Sequence, residues 1–114
     1  MTWAALSIKQ RPELEYLVAI PNGGARHIAV AAKLKAEGVK KGFPDLQMNL
    51  ARSGYNGLFI ELKNRDGKTS PEQKDWLERL MRAGNKAVVC KGWIDAQQTI
   101  IDYLDGTTND NRIQ

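Results

Sequence analysis

The chain has 114 residues, 42% of them apolar, with 17 Lys and Arg against 13 Asp and Glu, a size and balance that suit one globular domain and exclude two. Its longest apolar runs, such as Tyr16 to Ile20, fall far short of the ~20 residues a membrane span needs, and no charged-then-apolar leader opens the chain, so a cytoplasmic protein is expected. A lone cysteine, Cys90, cannot form an internal disulfide and argues against a zinc finger, while a net charge of +4 suits a polyanionic partner without identifying one.

Thr2 to Gln10 has the composition of a short helix, which Pro12 would interrupt, and Leu14 to Ile20 then reads as strand-like. Pro21-Asn22-Gly23-Gly24 is dense turn punctuation, and the Ala, Leu and Lys from Arg26 to Glu37 predict a helix with Gly38 placed to cap it. Asp45 to Leu50 and Leu58 to Lys63 both alternate polar and apolar, and Arg52-Ser53-Gly54-Tyr55-Asn56-Gly57 between them supplies turn residues, so an antiparallel hairpin centred near Gly54 is predicted. Ser70-Pro71-Glu72-Gln73 offers an N-cap, a proline at the first helical position and a capping-box glutamine. Trp76, Leu77, Leu80 and Met81 follow at helical spacing, and Gly84 ends the helix.

Lys86 to Lys91 reads as a buried strand with Cys90 as a small buried side chain, and Trp93, Ala96, Gln97, Ile100, Ile101 and Leu104 mark one face of a last helix. The polar residues 106–114 contain too little apolar surface to order themselves and are expected to form a flexible tail. The alternation of elements predicts an α/β domain over residues 1–105, a mixed central sheet flanked by helices.

The hairpin concentrates the chemistry. Because side chains alternate along a strand, Phe59, Glu61 and Lys63 share one face, with Glu61 and Lys63 roughly 6–7 Å apart. With the hairpin centred on Gly54, Asp45 faces Lys63 and Gln47 faces Glu61, which leaves Asp45 and Glu61 diagonal neighbours whose oxygens can share a cation. Two carboxylates with the backbone carbonyl of Leu62 form an oxygen-rich set suited to Mg²⁺ or Mn²⁺ rather than zinc. A cation there would polarise a phosphate and activate water for in-line phosphodiester hydrolysis, with Lys63 beside the developing charge. On spacing alone, Glu61 and Lys63 read more readily as an exposed cross-strand ion pair than as catalytic groups, because a Glu-x-Lys triplet is very common.

The ordered set Gly42-Phe43-Pro44-Asp45, Gly57-Leu58-Phe59-Ile60-Glu61-Leu62-Lys63 and Ser70-Pro71-Glu72-Gln73 resembles the virus-type replication-repair nuclease (VRR-NUC) domain, a branch of the PD-(D/E)xK nuclease superfamily. Ile20-Pro21-Asn22-Gly23-Gly24 with Arg26 is similar to the form found in phage and prophage stand-alone proteins, and the resemblance runs from about Pro12 to Leu104. It implies a restriction-endonuclease-like core. It also implies metal-binding and catalytic roles for Asp45, Glu61 and Lys63, and for Gln73 a place on the helix facing the site, where capping Ser70 is the alternative reading. Members usually carry a further acidic residue on the first helix, and the matching stretch would precede Met1, so weakened activity is an expectation. Glu13 and Glu15 are the early carboxylates and align with ordinary residues.

Asn22, Gly23 and Gly24 with Arg26 could present backbone N–H groups and a guanidinium to a DNA phosphate, or form a plain turn and cap. Lys40 and Lys41 lie where a strand approaching Asp45 would pass, although such a pair is commonly solvated surface. His27 has no companion ligand and reads as a helix-surface or capping residue, while Trp3 and Tyr55 offer base stacking or ordinary packing. The expectation is therefore a Mg²⁺- or Mn²⁺-dependent endonuclease selecting DNA by shape. Stand-alone members resemble dimeric Holliday-junction resolvases, which implies a homodimer acting on four-way junctions. The alternatives are a catalytically silent branched-DNA-binding module and a restriction-type or non-specific nuclease.

Overall fold

The structure, a computed structural model, describes residues 2–20, 38 and 40–106. The elements in chain order are helix α1 (Thr2–Ser7), a 3₁₀ helix (Pro12–Tyr16), β1 (Leu17–Ala19), β2 (Leu46–Met48), β3 (Leu58–Lys63), α2 (Pro71–Arg82), β4 (Lys86–Lys91) and α3 (Trp93–Asp105). The helix predicted over 26–37, and with it Asn22, Gly23, Gly24, Arg26 and His27, lies outside the described residues, as do residues 107–114.

The strands form one mixed sheet in the order β1-β2-β3-β4, antiparallel across the first three and parallel between β3 and β4, with α2 as the crossover a parallel pair requires. Alternation along the strands sorts the core onto the two faces. Leu17, Leu46, Met48, Leu58, Ile60 and Cys90 pack with Ala96, Ile100, Tyr103 and Leu104 of α3 and with Ala4 of α1. Phe59 and Ala87 turn the other way and pack with Leu77 of α2. This is the mixed α/β sheet flanked by helices expected of a PD-(D/E)xK core. Cys90 is fully buried, its thiol 3.4 Å from the Thr99 hydroxyl.

Several local expectations are corrected. Leu14 to Tyr16 belong to the 3₁₀ helix rather than a strand, because Pro12 at its first turn fixes a helical φ and Leu14 donates its N–H back to the Arg11 carbonyl. The β2 ladder closes at Met48, earlier than the alternation to Leu50 implied. Met81 is half exposed, since the inward stripe of α2 narrows to Leu77 with Trp76 and Leu80 at its edges. On α3 the buried stripe includes Thr99 and Tyr103, whereas Gln97 and Ile101 are only partly covered.

The hairpin register also differs. Gln47 pairs with Phe59 instead of Glu61, so every partner is displaced by two residues from a hairpin centred on Gly54. The cause is the turn. Arg52 and Tyr55 exchange backbone hydrogen bonds around two central residues, Ser53 and Gly54, whose φ values of 53° and 83° are the paired positive angles of a tight hairpin turn. The chain then spends one more residue between Met48 and Arg52 than between Tyr55 and Leu58, which completes the displacement. A two-residue shift preserves side-chain parity, so the faces are those the alternation predicted.

Candidate active site

Continuing the β2–β3 register one step beyond Leu46 and Ile60 brings Asp45 directly opposite Glu61, closer than the diagonal relation expected, and takes it away from Lys63. Asp45 holds the end of the ladder with both its chain and its side chain. Its carbonyl accepts from Ile20 N–H at 2.7 Å, and its Oδ2 accepts from Leu62 N–H at 2.7 Å. The carboxylate is therefore fixed against β3 at the residue between Glu61 and Lys63.

The approach to Asp45 is equally constrained. Pro44 is fully buried, and Phe43 makes edge contacts with Phe59 (5.7 Å between ring centroids) and Trp76 (5.0 Å), pinning the segment to both β3 and α2. Gly42 sits on the first turn of α2 with φ +83°, where a Cβ would lie 2.7 Å from the backbone carbon of Glu72. Both the angle and the contact demand glycine. In the sequence, the signal for Gly42 is a glycine beside Phe-Pro before an acidic residue.

Glu61 is 2% exposed and follows the buried apolar residues Leu58, Phe59 and Ile60 on β3. Its Oε2 is 3.2 Å from Gln73 Nε2, which donates to it, and 3.6 Å from Lys63 Nζ, whose side chain is 18% exposed. Its Oε1 is the one buried side-chain nitrogen or oxygen among the described residues without a hydrogen-bond partner. The exposed cross-strand ion pair is thus excluded: Glu61 is buried, and its cation is two residues along the same strand.

Burial pushes the Glu61 carboxyl up to about 7, the Asp45 carboxylate adds to the rise through hydrogen bonding to the protonated form and through repulsion, and Lys63 opposes both.

Gln73 combines its two candidate roles. Ser70 caps α2 by accepting from Gln73 N–H at 3.2 Å, and Gln73 Oε1 accepts from Ser70 N–H at 2.7 Å. With its carbonyl oxygen committed to the cap, the amide has to aim its NH₂ at Glu61. The cap orients the site.

Lys40 and Lys41 are exposed, and Lys41 Nζ lies 3.7 Å from Glu72 Oε1, on the helix that carries Gln73. Trp3 and Tyr55 are partly buried against the main core, as ordinary packing requires. No group of three or more His, Cys, Asp or Glu side chains able to hold a metal occurs among the described residues, so neither Glu13 nor Glu15 joins Asp45 and Glu61. No helix among the described residues is long and apolar enough to cross a membrane.

Two carboxylates facing each other across a strand pair, one with an unpartnered buried oxygen, form a site that a hard divalent cation fits. Such a cation would satisfy Oε1 and remove the mutual repulsion, and Mg²⁺ ordinarily takes only one or two carboxylates and keeps several waters.

Comparison with known proteins identifies the family. The family profile described as the VRR-NUC domain matches residues 2–93. A solved structure titled "VRR_NUC domain protein" is similar at a TM-score of 0.74 and 35% sequence identity, covering 91% of this chain and 83% of that one. No curated protein matches the sequence. A family match over most of the chain, together with a superimposable relative at this identity, shows that the chain belongs to the VRR-NUC family of nuclease domains.

Proposed function

We propose that the chain is a divalent-metal-dependent DNA endonuclease that hydrolyses phosphodiester bonds and acts on four-way junctions as a homodimer in the cytoplasm. The observation that carries the metal-dependent chemistry is the buried Glu61 Oε1 without a hydrogen-bond partner, on a residue directly opposite Asp45 in the ladder, with Lys63 and Gln73 both on Oε2. Asp45 and Glu61, with the Leu62 carbonyl, would hold Mg²⁺ or Mn²⁺. When bound, the ion would supply Lewis-acid polarisation of a phosphate oxygen and a lowered pKa for a coordinated water.

The remaining work falls to the protein. Lys63 places a positive charge beside the reacting phosphate and balances part of the carboxylate charge. Gln73 restrains Glu61 so that Oε1, and not Oε2, is presented. Leu62 N–H fixes the rotation of Asp45. None of these groups reads a base edge, which favours selection by DNA shape over selection by sequence. Junction preference and dimerisation rest on the likeness to stand-alone junction resolvases and on symmetry: a small domain cuts two strands alike only when paired about a two-fold axis.

The test is cleavage of an end-labelled four-way junction and of a linear duplex of the same sequence, each with Mg²⁺, Mn²⁺ or EDTA, beside Lys63→Ala. Metal-dependent, symmetric cutting of the junction alone, reduced at least about 100-fold in the variant, is expected from the loss of a transition-state charge contact. Cutting of both substrates would retain the chemistry and remove junction selectivity. Binding without cutting in any metal would replace the nuclease by a silent DNA-binding module.

A further inference from the structure

Lys63 of β3 and Lys91 of β4 both meet Gly67 beside the site, and Lys68 follows that glycine in the chain. Gly67 lies in the segment joining β3 to α2, in a turn closed by its N–H donating to the Asn64 carbonyl at 3.1 Å. A Cβ built on Gly67 would meet Cβ and Cδ of Lys63 at 3.4 Å, so the turn rests on the stem of that side chain. The Gly67 carbonyl accepts from Lys91 Nζ at the end of β4. Lys68 is the next residue in the chain and is exposed.

The backbone holds this arrangement independently of the side chains. Lys63 and Lys91 are register partners across the parallel β3–β4 pair, and Gly92 N–H donates to the Lys63 carbonyl at 2.9 Å. Of the three cations, Lys63 is turned toward Glu61. Lys91 meets a neutral carbonyl oxygen, and among the described residues neither Lys68 nor Lys91 takes part in an ion pair. Asp66 lies within the same turn, and Asp95 Oδ2 accepts from Lys91 N–H at 3.0 Å.

We infer that Lys68 and Lys91 form a phosphate subsite next to the reacting centre, holding the DNA strand by a phosphate adjacent to the one hydrolysed. The inference rests on the nuclease reading above and extends it to substrate positioning. The chemistry is that of a phosphate contact: Lys91, bonded to the Gly67 carbonyl, and the exposed Lys68 next in the chain bring two cations to the turn that rests on the Lys63 stem. Lys91 has a second duty, since its bond to the Gly67 carbonyl ties the turn against Lys63.

The test uses the full chain and its variants Lys68→Gln, Lys91→Gln and the double variant, binding a fluorescent four-way junction and a duplex in EDTA from about 50 to 200 mM salt. Single-turnover cleavage at saturating protein in Mg²⁺ accompanies each. Glutamine at position 91 keeps a donor for the Gly67 carbonyl, and Lys68→Gln alone carries the test should the turn be disturbed. Each substitution is expected to reduce the slope of log affinity against log salt by about 0.9, equally for all sequences, with the saturated rate within about twofold of the parent. An unchanged slope in the double variant overturns the subsite, as does a large loss of saturated rate without a change in slope. A parent protein that neither binds nor cuts DNA overturns the nuclease reading itself, a result separable from the others.

Discussion

Glu61 is the residue on which the site turns, and its titration has a sign that can be checked. A carboxyl raised from 4.5 to about 7 binds a proton in the folded state that it has already lost in the unfolded chain. Between those values the native protein holds more protons, so in EDTA its stability is full below the unfolded pKa and falls as pH rises through about 7. Asp105, held low by Arg11 at 2.7 Å, acts in the opposite sense and only in acid, outside this window. Denaturant midpoints at pH 5 and pH 8 should show the fall, Glu61→Gln should flatten it, and Mg²⁺ should restore stability at pH 8 more than at pH 5. A parent profile as flat as that of the variant would refute a proton on Glu61.

The same carboxylate gives Gln73 a separable signature. Gln73→Glu keeps an acceptor for Ser70 N–H and so preserves the cap, but it replaces the donor to Glu61 by a third negative charge. The helix should lose little stability, within about 0.5 kcal/mol, while activity at limiting metal falls at least about tenfold. Gln73→Ala should instead lose both contacts and lower the melting temperature as well. Equal effects of the two variants on stability would show that the bond to Glu61, and not the cap, supplies what Gln73 contributes.

At the scale of elements, the local signals that carried through were those with a mechanism internal to a few residues. Ser70, Pro71 and Gln73 specify a helix start by capping chemistry alone, and that start appears where the residues place it. The alternation of Leu58 to Lys63 likewise fixes which side chains share a face. Register was less legible because it depends on how many residues the turn consumes, and nothing in Arg52 to Gly57 announces an extra residue on one arm. The 3₁₀ turn before β1 was hidden for a related reason, since Leu14 is buried in either conformation.

The burial of Glu61 is a tertiary outcome. It follows from α2 closing over the end of β3, which the triplet Glu-x-Lys cannot foretell. Gly42 is where two elements depend on one another most tightly. Gly42→Ala should push the segment leading to Asp45 away from α2, because the clash is with backbone and the φ of +83° is strained for alanine. A loss of about 1–3 kcal/mol is expected, with activity falling further than stability because both Asp45 and Gln73 are displaced. Unchanged activity in a destabilised Gly42→Ala protein would separate the packing of this loop from the geometry of the site.

Across the whole molecule, the sheet supplies two unlike faces, and the division assigns their tasks. The face under α3 buries the larger core, from Leu17 through Ile100 and Tyr103, and Tyr103 reaches across to the hairpin, donating to the Leu50 carbonyl at 2.6 Å. The face under α2 carries a smaller cluster around Phe59 and Leu77 and, at its edge, the carboxylates, Lys63 and Gln73. A rigid core on one side thus holds the β3 strand against which the charged groups on the other are aligned. Asp45 and Glu61 are proposed to hold one divalent cation jointly. Calorimetric titration of Mn²⁺ into the protein and into Glu61→Gln decides this: one site is expected in the parent, tighter at pH 8 than at pH 6 and at least about tenfold weaker in the variant. Failure of the parent to take up Mn²⁺ at pH 8, or equal affinity after loss of the Glu61 charge, would contradict it.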